Sequence, residues 1–271
     1  MKRFMTRSLF AFILSLIFLS SSFSLAEETA QYRFLQFFVE DAAIVPTQWW
    51  EGQIRYVNNG QYRSVNIPDS STLAISPIVA ISPRENFEIG AILSIEDIDY
   101  DKWFYRDNGG SGLSDTDIYA KYRFKKAPFE LTAGVLATLP TGNEDEGRGT
   151  GKVNVELFAV ARKEFKEFTM TGVFGFRLNR DTTILDAVPL DAKTSVILGG
   201  GIIYPLSQTM ALSGEVSVES ERYKNTDSDI RVTPGIQFKA FKNSLLRVGC
   251  GIGLSDGAPG FEAIFSYAYT F

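Results

Sequence analysis

Residues 260–271 read GFEAIFSYAYTF, and the alternation in this stretch decides the fold. Phe261, Ala263, Phe265, Tyr267, Tyr269 and Phe271 share one parity, and Glu262, Ile264, Ser266, Ala268 and Thr270 share the other. Successive side chains of a strand point to opposite faces, so this ribbon has a greasy aromatic side and a mostly small or polar side. At the end of a protein in water such a strand invites edge-to-edge aggregation. It is sensible where the greasy side faces lipid and the strand closes a barrel.

Working outward, the same period recurs along most of the chain. Trp50, Ile54 and Tyr56 oppose Glu51, Gln53 and Arg55, and Phe87, Ile89, Ala91, Leu93 and Ile95 oppose Glu88, Gly90, Ser94 and Glu96. Ile118, Ala120, Tyr122 and Phe124 oppose Tyr119, Lys121 and Arg123, and Leu131, Ala133, Val135 and Ala137 oppose Glu130, Thr132 and Gly134. Val153, Val155 and Leu157 oppose Lys152, Asn154 and Glu156, with Arg162 continuing that face; Phe174, Phe176 and Leu178 oppose Gly175 and Arg177. Leu212, Val216 and Val218 oppose Glu215 and Glu219, Ile230, Val232 and Phe238 oppose Arg231 and Lys239, and Val248 and Ile252 oppose Arg247. With the runs 73–81, 196–204 and 260–271 the total is about twelve strands, each near the roughly 9–11 residues that cross a bilayer at a tilt.

The greasy faces carry no charge. A Lys or Arg facing lipid at mid-bilayer costs about 2–4 kcal/mol, so lipid contact predicts that asymmetry. Short connections at 83–86, 125–128, 163–167, 205–208 and 241–243 alternate with longer polar ones at 58–70, 97–115, 140–151, 179–192 and 220–228. Short periplasmic turns, long outer loops and both ends in the periplasm are the pattern of an outer-membrane barrel. The expected fold is therefore all-β, a transmembrane antiparallel up-and-down barrel over residues 47–271. A secreted soluble sandwich or lipocalin-like barrel also alternates, but leaves the charge-free faces and the aromatic end unexplained. The barrel reading fails if Phe174 and Phe265 pack in a central core.

Residues 1–26 carry Lys2, Arg3 and Arg7, then an apolar run at 9–19, then Ser24-Leu25-Ala26. That is a secretory signal peptide cleaved near Ala26. The expected location is the outer membrane of a Gram-negative bacterium, with outer-membrane lipid as the surroundings. A final Phe behind alternating aromatics resembles the C-terminal signal by which such barrels are recognised, so the barrel-assembly machinery is an expected partner of the strand ending at Phe271. Residues 27–46 are read as a periplasmic lead-in or a small plug; Phe34, Leu35, Phe38 and Ala42 have roughly helical spacing, but the segment is short.

Without the signal, 24 Lys+Arg stand against 32 Asp+Glu, an acidity unsuited to nucleic acid. Cys250 is the only cysteine and there is no His, which removes intramolecular disulfides, His-based nucleophilic catalysis and His metal sites. The His-Ser route of outer-membrane phospholipases is closed, and acid–base work by luminal carboxylates is the remaining enzymatic possibility. Leu139-Pro140-Thr141-Gly142 followed by Gly147, Gly149 and Gly151-Lys152 fails as a P-loop, because Val153 stands where Ser or Thr is needed. The acidic loops around Asp107 and at 143–146 lack EF-hand spacing. No catalytic residue, cofactor site or metal site is assigned, and the chain reads as a non-enzyme.

The candidate site is the inward face: Glu51, Arg55, Glu88, Glu96, Lys121, Arg123, Glu130, Lys152, Glu156, Arg162, Arg177, Glu215, Glu219, Arg231, Lys239, Arg247 and Glu262. Its near balance of sign argues against a single-sign selectivity ring. These groups either pair as a structural network or line a narrow wet passage for a small solute, and the two are compatible.

The order of motifs resembles the outer-membrane proteins called transporter/MetA-pathway-of-phenol-degradation-like. The matching residues are Glu40-Asp41-Ala42-Ala43-Ile44-Val45-Pro46 leading into Trp49-Trp50-Glu51-Gly52, the strand Asp115 to Phe124, and Leu139-Pro140-Thr141-Gly142 with its trailing glycines and Lys152. The resemblance implies an outer-membrane barrel and passage of small hydrophobic or aromatic compounds; it implies no catalytic residues. The expected function is a channel passively admitting small solutes. The alternatives are a structural or adhesive barrel with a sealed lumen, and a secreted β-protein.

Overall fold

The structure, a computed structural model, describes residues 31–59, 69–101, 109–125, 128–185 and 188–271. The signal-peptide reading and Asp107 lie outside these residues. The strands are β1 (Gln48–Asn59), β2 (Ser70–Arg84), β3 (Phe87–Ile92), β4 (Ile95–Tyr100), β5 (Gly110–Leu113), β6 (Thr116–Lys125), β7 (Glu130–Leu139) and β8 (Asn154–Glu164). They continue as β9 (Thr169–Leu178), β10 (Thr182–Ile184), β11 (Val188–Leu190), β12 (Thr194–Pro205), β13 (Met210–Glu219), β14 (Asp229–Phe241), β15 (Ser244–Gly253) and β16 (Phe261–Thr270).

All but β10 and β11 form one antiparallel sheet of neighbours in sequence order, and β1 pairs with β16 to close it. The closing register runs from Trp49↔Thr270 to Asn58↔Phe261. The seam is finished at its end by Phe271, whose amide donates to the Gln48 carbonyl at 3.1 Å and whose ring meets those of Trp50 and Tyr269. Closure removes the free edges that a lipid environment cannot satisfy.

β3 and β4 are two halves of one stave, as are β5 and β6, so the barrel has twelve. β2 pairs with both halves, Ile78↔Ile92 and Ile75↔Ile95, on either side of Pro77. The Pro77 carbonyl accepts from the Leu93 amide at 3.1 Å. In an antiparallel ladder a residue's N–H points to the same neighbour as its carbonyl, and Pro77 has none to give. The partner strand breaks there. This corrects the continuous strand 87–95 expected from the sequence. The outer connection expected at 97–115 is corrected too, since β4 and β5 carry a hairpin through part of it; the one at 179–192 contains the β10–β11 hairpin.

Phe174 and Phe265 are 45% and 44% exposed, among a belt that includes Trp50, Tyr122, Met170, Leu198 and Ile252. The opposite parity is buried: in β8 the pattern alternates from Asn154 through Glu156, Phe158 and Val160 to Arg162. The core of this protein is the barrel's interior. Residues 31–46 contribute heavily to it, with Phe34, Leu35, Phe37, Phe38, Ala42, Ala43 and Val45 all buried. They form turns and bends and no helix.

Candidate functional site in the barrel lumen

The inward side chains fall into two tiers with different partners. In the periplasmic half they hold residues 31–46. Glu215 of β13 accepts three successive backbone amides, Leu35 at 2.7 Å, Gln36 at 2.8 Å and Phe37 at 3.3 Å. Glu88 of β3 accepts the Val45 amide at 2.7 Å, and its other oxygen takes the Tyr119 hydroxyl and the Lys121 ammonium. Lys121 also donates to the Asp41 carbonyl at 3.0 Å, and Arg162 reaches both Asp41 carboxylate oxygens at 2.8 Å. Arg247 donates to the Phe34 carbonyl at 2.9 Å, to Ser266 at 3.0 Å and to Glu51, which also accepts from the Trp49 indole.

These charges have left water, which is tolerable only because each is partnered. Burial alone disfavours ionised Asp41, yet Arg162 and Arg33, with the Ala43 amide, hold its carboxyl below the usual range. Arg33 lies over the Phe38 and Trp49 rings at 5.3 and 5.2 Å, a geometry that favours a cation stripped of solvent.

Between these polar anchors the wall is apolar. Tyr119, Leu136, Phe158, Val160, Val173 and Ile203 cluster with Phe34, Phe37, Phe38 and Trp49. Gly199 and Gly201 of β12 are the close approaches: an added Cβ would run into the Phe37 ring at the first and the Phe34 ring at the second. Two phenyl groups thus sit in sockets made by missing side chains.

In the outer half the ion pairs join wall to wall. Arg177 binds Glu156 through Nε at 3.1 Å and Nη2 at 2.5 Å, and Glu219 through Nη1 at 3.0 Å; Ser195 and Arg222 also donate to Glu219. Arg55 and Arg231 both bind Glu262, at 2.9 and 3.3 Å. The inserted segment touches this tier at two points. Gln36 donates to Thr233 and Glu262, and Glu40 faces Glu156. Burial first, then the Glu156 carboxylate, push Glu40 well above the ordinary carboxylate range, while Arg177 pulls the other way. The pair shares a hydrogen bond only when one of the two carboxyls is protonated.

Beyond that tier the 140–152 loop packs against Asp115, Tyr100 and Leu185. Asp115 is its clasp, accepting Gly142 N at 3.0 Å and Thr150 N at 2.9 Å. Gly147 and Gly151 have positive φ, which explains the glycine-rich sequence without phosphate chemistry. Leu185 from the 179–193 connection packs on Ile98 and Tyr100. Among the described residues no group of three His, Cys, Asp or Glu side chains is arranged to hold a metal ion.

Of the seventeen inward candidates, Glu51, Glu88, Lys121, Arg162, Glu215 and Arg247 meet around the inserted segment. Arg55, Glu156, Arg177, Glu219, Arg231 and Glu262 form the outer tier, with Glu96 nearby on β4. Arg123 and Glu130 pair at 3.2 Å. Lys239 stands at the periplasmic mouth with its ammonium 4.4 Å from the Tyr32 ring centroid. Lys152 is apart from all of these, exposed in the loop before β8. At the periplasmic mouth a cavity of about 580 Å³ is bounded by Gln31, Tyr32, Pro46, Phe165, Phe168 and Lys239, among others.

Sequence reasoning missed Arg33, Gln36, Glu40 and Asp41 as luminal groups. Their signal was charge set inside an apolar segment. It also missed the apolar wall patch, signalled by Tyr119 and Phe158 standing on the otherwise polar parity.

A family model described as "Putative MetA-pathway of phenol degradation" matches residues 32–271. No curated protein sequence matches the chain. Among solved structures, the chain is similar to an outer membrane channel from Pseudomonas putida F1, with TM-score 0.66 and 15% identity over 85% of this chain and 98% of that one. It is also similar to the KdgM porin, solved in complex with disordered oligogalacturonate, with TM-score 0.51 and 13% identity over 82% and 99% of the two chains. The Pseudomonas putida toluene transporter TodX gives TM-score 0.50 and 8% identity over 90% and 95%. At these identities the likeness is one of fold, and the fold is that of Gram-negative outer-membrane barrels.

Proposed function

The chain belongs to the MetA-pathway-of-phenol-degradation family, and from that premise we propose that it is an outer-membrane channel passively admitting small hydrophobic or aromatic solutes. The observation that carries this reading is the gradient of exposure along the lumen. The outer-tier side chains Arg55, Arg177 and Arg231 are 30%, 20% and 15% exposed, whereas Arg33, Lys121 and Arg247 in the inner tier are at 0%. The outer tier is thus partly open to solvent at its arginines, although its Glu156 and Glu262 are buried, and residues 31–46 fill the other half of the lumen. Arg55, Arg123, Arg162, Arg177, Arg231 and Arg247 each lie in an ion pair with a carboxylate, which leaves the path without a dominant sign and suits a neutral solute. Aromatic solutes are in keeping with the family's description and with TodX, a toluene transporter.

A sealed structural barrel is the second reading, favoured by the full burial of Arg33, Glu88 and Lys121 around residues 31–46. Planar-bilayer recording of the purified mature protein separates the two. Discrete conductance steps are expected of a channel; a silent bilayer containing correctly folded protein counts for the sealed barrel. Membrane insertion through the assembly machinery by way of the strand ending at Phe271 is part of the same proposal.

A further inference from the structure

On the exterior of the barrel, the apolar belt ends at the outer side of β8 and β9 in a depression of about 470 Å³. It is bordered by Lys152, Val153, Val155, Leu178, Arg180 and Asp181. Val153 and Leu178 are exposed, as are Leu157, Phe174 and Phe176 on the same outward faces. The register Val155↔Leu178, Leu157↔Phe176 and Ala159↔Phe174 carries this apolar strip down the wall toward the turn at 165–168. Lys152 stands just before β8 and Arg180 just after β9, so two cations meet at the rim directly above the strip.

Both cations are exposed, and neither lies in an ion pair among the described residues. The other described cations of the outer connections are all paired: Arg148 with Glu146, Lys193 with Glu221, Arg222 with Glu219 and Lys224 with Asp191. This acidic chain has carboxylates to spare, yet only Asp181 borders the two, and its Oδ1 accepts the Ala192 amide at 2.7 Å. The backbones beneath the cations are fixed. Positive φ at Gly151 turns the chain into Lys152, whose carbonyl accepts from Thr150 Oγ1 at 3.2 Å, and the Arg180 amide donates to Asn154 Oδ1 at 3.1 Å. Asn154 Nδ2 donates to Thr150 Oγ1 at 3.1 Å and Thr182 donates to the Thr150 carbonyl, which joins the two loops into one support.

We propose that this rim pocket binds a phosphorylated glycolipid of the outer leaflet, with Lys152 and Arg180 on a headgroup phosphate and the acyl chains along Val153, Leu178, Leu157 and Phe176. A guanidinium offers a phosphate paired N–H donors, and the lysine adds a point charge beside it. The hydrocarbon strip directly below the two cations suits an anionic lipid and gives nothing to a free anion. The inference goes beyond the channel reading: it uses the outer surface of the wall and the barrel's orientation in an outer membrane, not the lumen.

The test titrates the full-length mature protein in detergent with diphosphoryl lipid A and reads binding by native mass spectrometry. Lipid A stripped of both phosphates and inorganic phosphate are separate probes. Saturable binding of diphosphoryl lipid A is expected, roughly tenfold or more tighter than either of the other two. Lys152→Ala with Arg180→Ala is expected to weaken it roughly tenfold or more. Lys193→Ala with Lys224→Ala removes the same charge from cations already held by carboxylates and is expected to keep the affinity within about twofold. Lys152→Arg with Arg180→Lys preserves both charges and is expected to retain binding. Hydrogen exchange on the unaltered protein decides without any variant: the lipid should slow the amides at 150–153 and 179–182 and leave those of β13 and β14 unchanged. Equal binding of phosphorylated and stripped lipid, inorganic phosphate binding as tightly as the lipid, equal losses from the two alanine pairs, or protection spread evenly around the barrel each overturns the inference.

Discussion

Replacing Asp41 by Asn keeps the side chain's shape and removes its charge. Arg162 then loses the carboxylate that it holds at 2.8 Å, in a place where the Arg162 side chain is almost wholly buried. Breaking a buried pair from one side costs about 3–5 kcal/mol. Glu164 at 3.7 Å and Glu130 at 3.9 Å stay near Arg162, so the loss falls at the lower end, about 3 kcal/mol. That energy belongs to docking of residues 31–46 and not to the barrel, whose ladder does not involve Asp41. The Leu35, Phe37 and Val45 amides, protected by Glu215 and Glu88, should therefore exchange with solvent about a hundredfold faster, the factor that 3 kcal/mol implies. Amides within β12 and β13 should keep their rates. Hydrogen exchange read by mass spectrometry on the detergent-solubilised protein gives both. Unchanged exchange of the 35–45 amides in a folded Asp41→Asn barrel would refute the account of the inner tier, and uniform acceleration across the barrel would show the segment and wall to be one cooperative unit.

Phe174→Arg places a charge on the lipid face and is expected to destabilise folding into vesicles by about 2–4 kcal/mol, read from urea titrations; no loss would mean the residue does not face acyl chains. Asp115→Ala removes the acceptor of the Gly142 and Thr150 amides and should loosen the 140–152 loop by about 1–3 kcal/mol, seen as faster exchange confined to that loop. Glu40 has a raised pKa when docked, so its contribution to docking is present in the ordinary carboxylate range and is lost as pH rises through the raised value; Glu156 and Arg177 are the charged groups it faces, and Asp41, whose docked pKa is lowered beside Arg162, sets the acid limit by losing its charge as pH falls through that value. Conductance should accordingly increase with pH, and Glu40→Gln should flatten the dependence.

The strands were legible because lipid outside and charge inside impose the same two-residue period on every stave, so Phe174 and Arg177 declare their faces without any knowledge of their partners. The lumen was legible only as a list of charges. Glu215 and Glu219 look alike in sequence, both being glutamates on the inward parity, yet one binds three amides of a segment 180 residues away and the other takes Arg177 and Ser195 of the wall. That difference depends on which wall positions face residues 31–46, and no local periodicity encodes it. The segment itself was ambiguous because its apolar spacing follows the Gly199 and Gly201 sockets, not a helix. The break between β3 and β4 was invisible for a related reason, as Pro77 acts on its neighbour across the ladder and not on its own strand.

Solute entry into proteoliposomes tests the central claim most directly. Vesicles carrying the full-length mature protein are placed in isotonic solutions of neutral solutes of increasing size, including a single-ring aromatic, and swelling is followed by light scattering. Swelling that is faster than in protein-free vesicles and that falls with solute size is the predicted result. No swelling above the protein-free rate, with either the full-length protein or the barrel lacking residues 31–46, would contradict it.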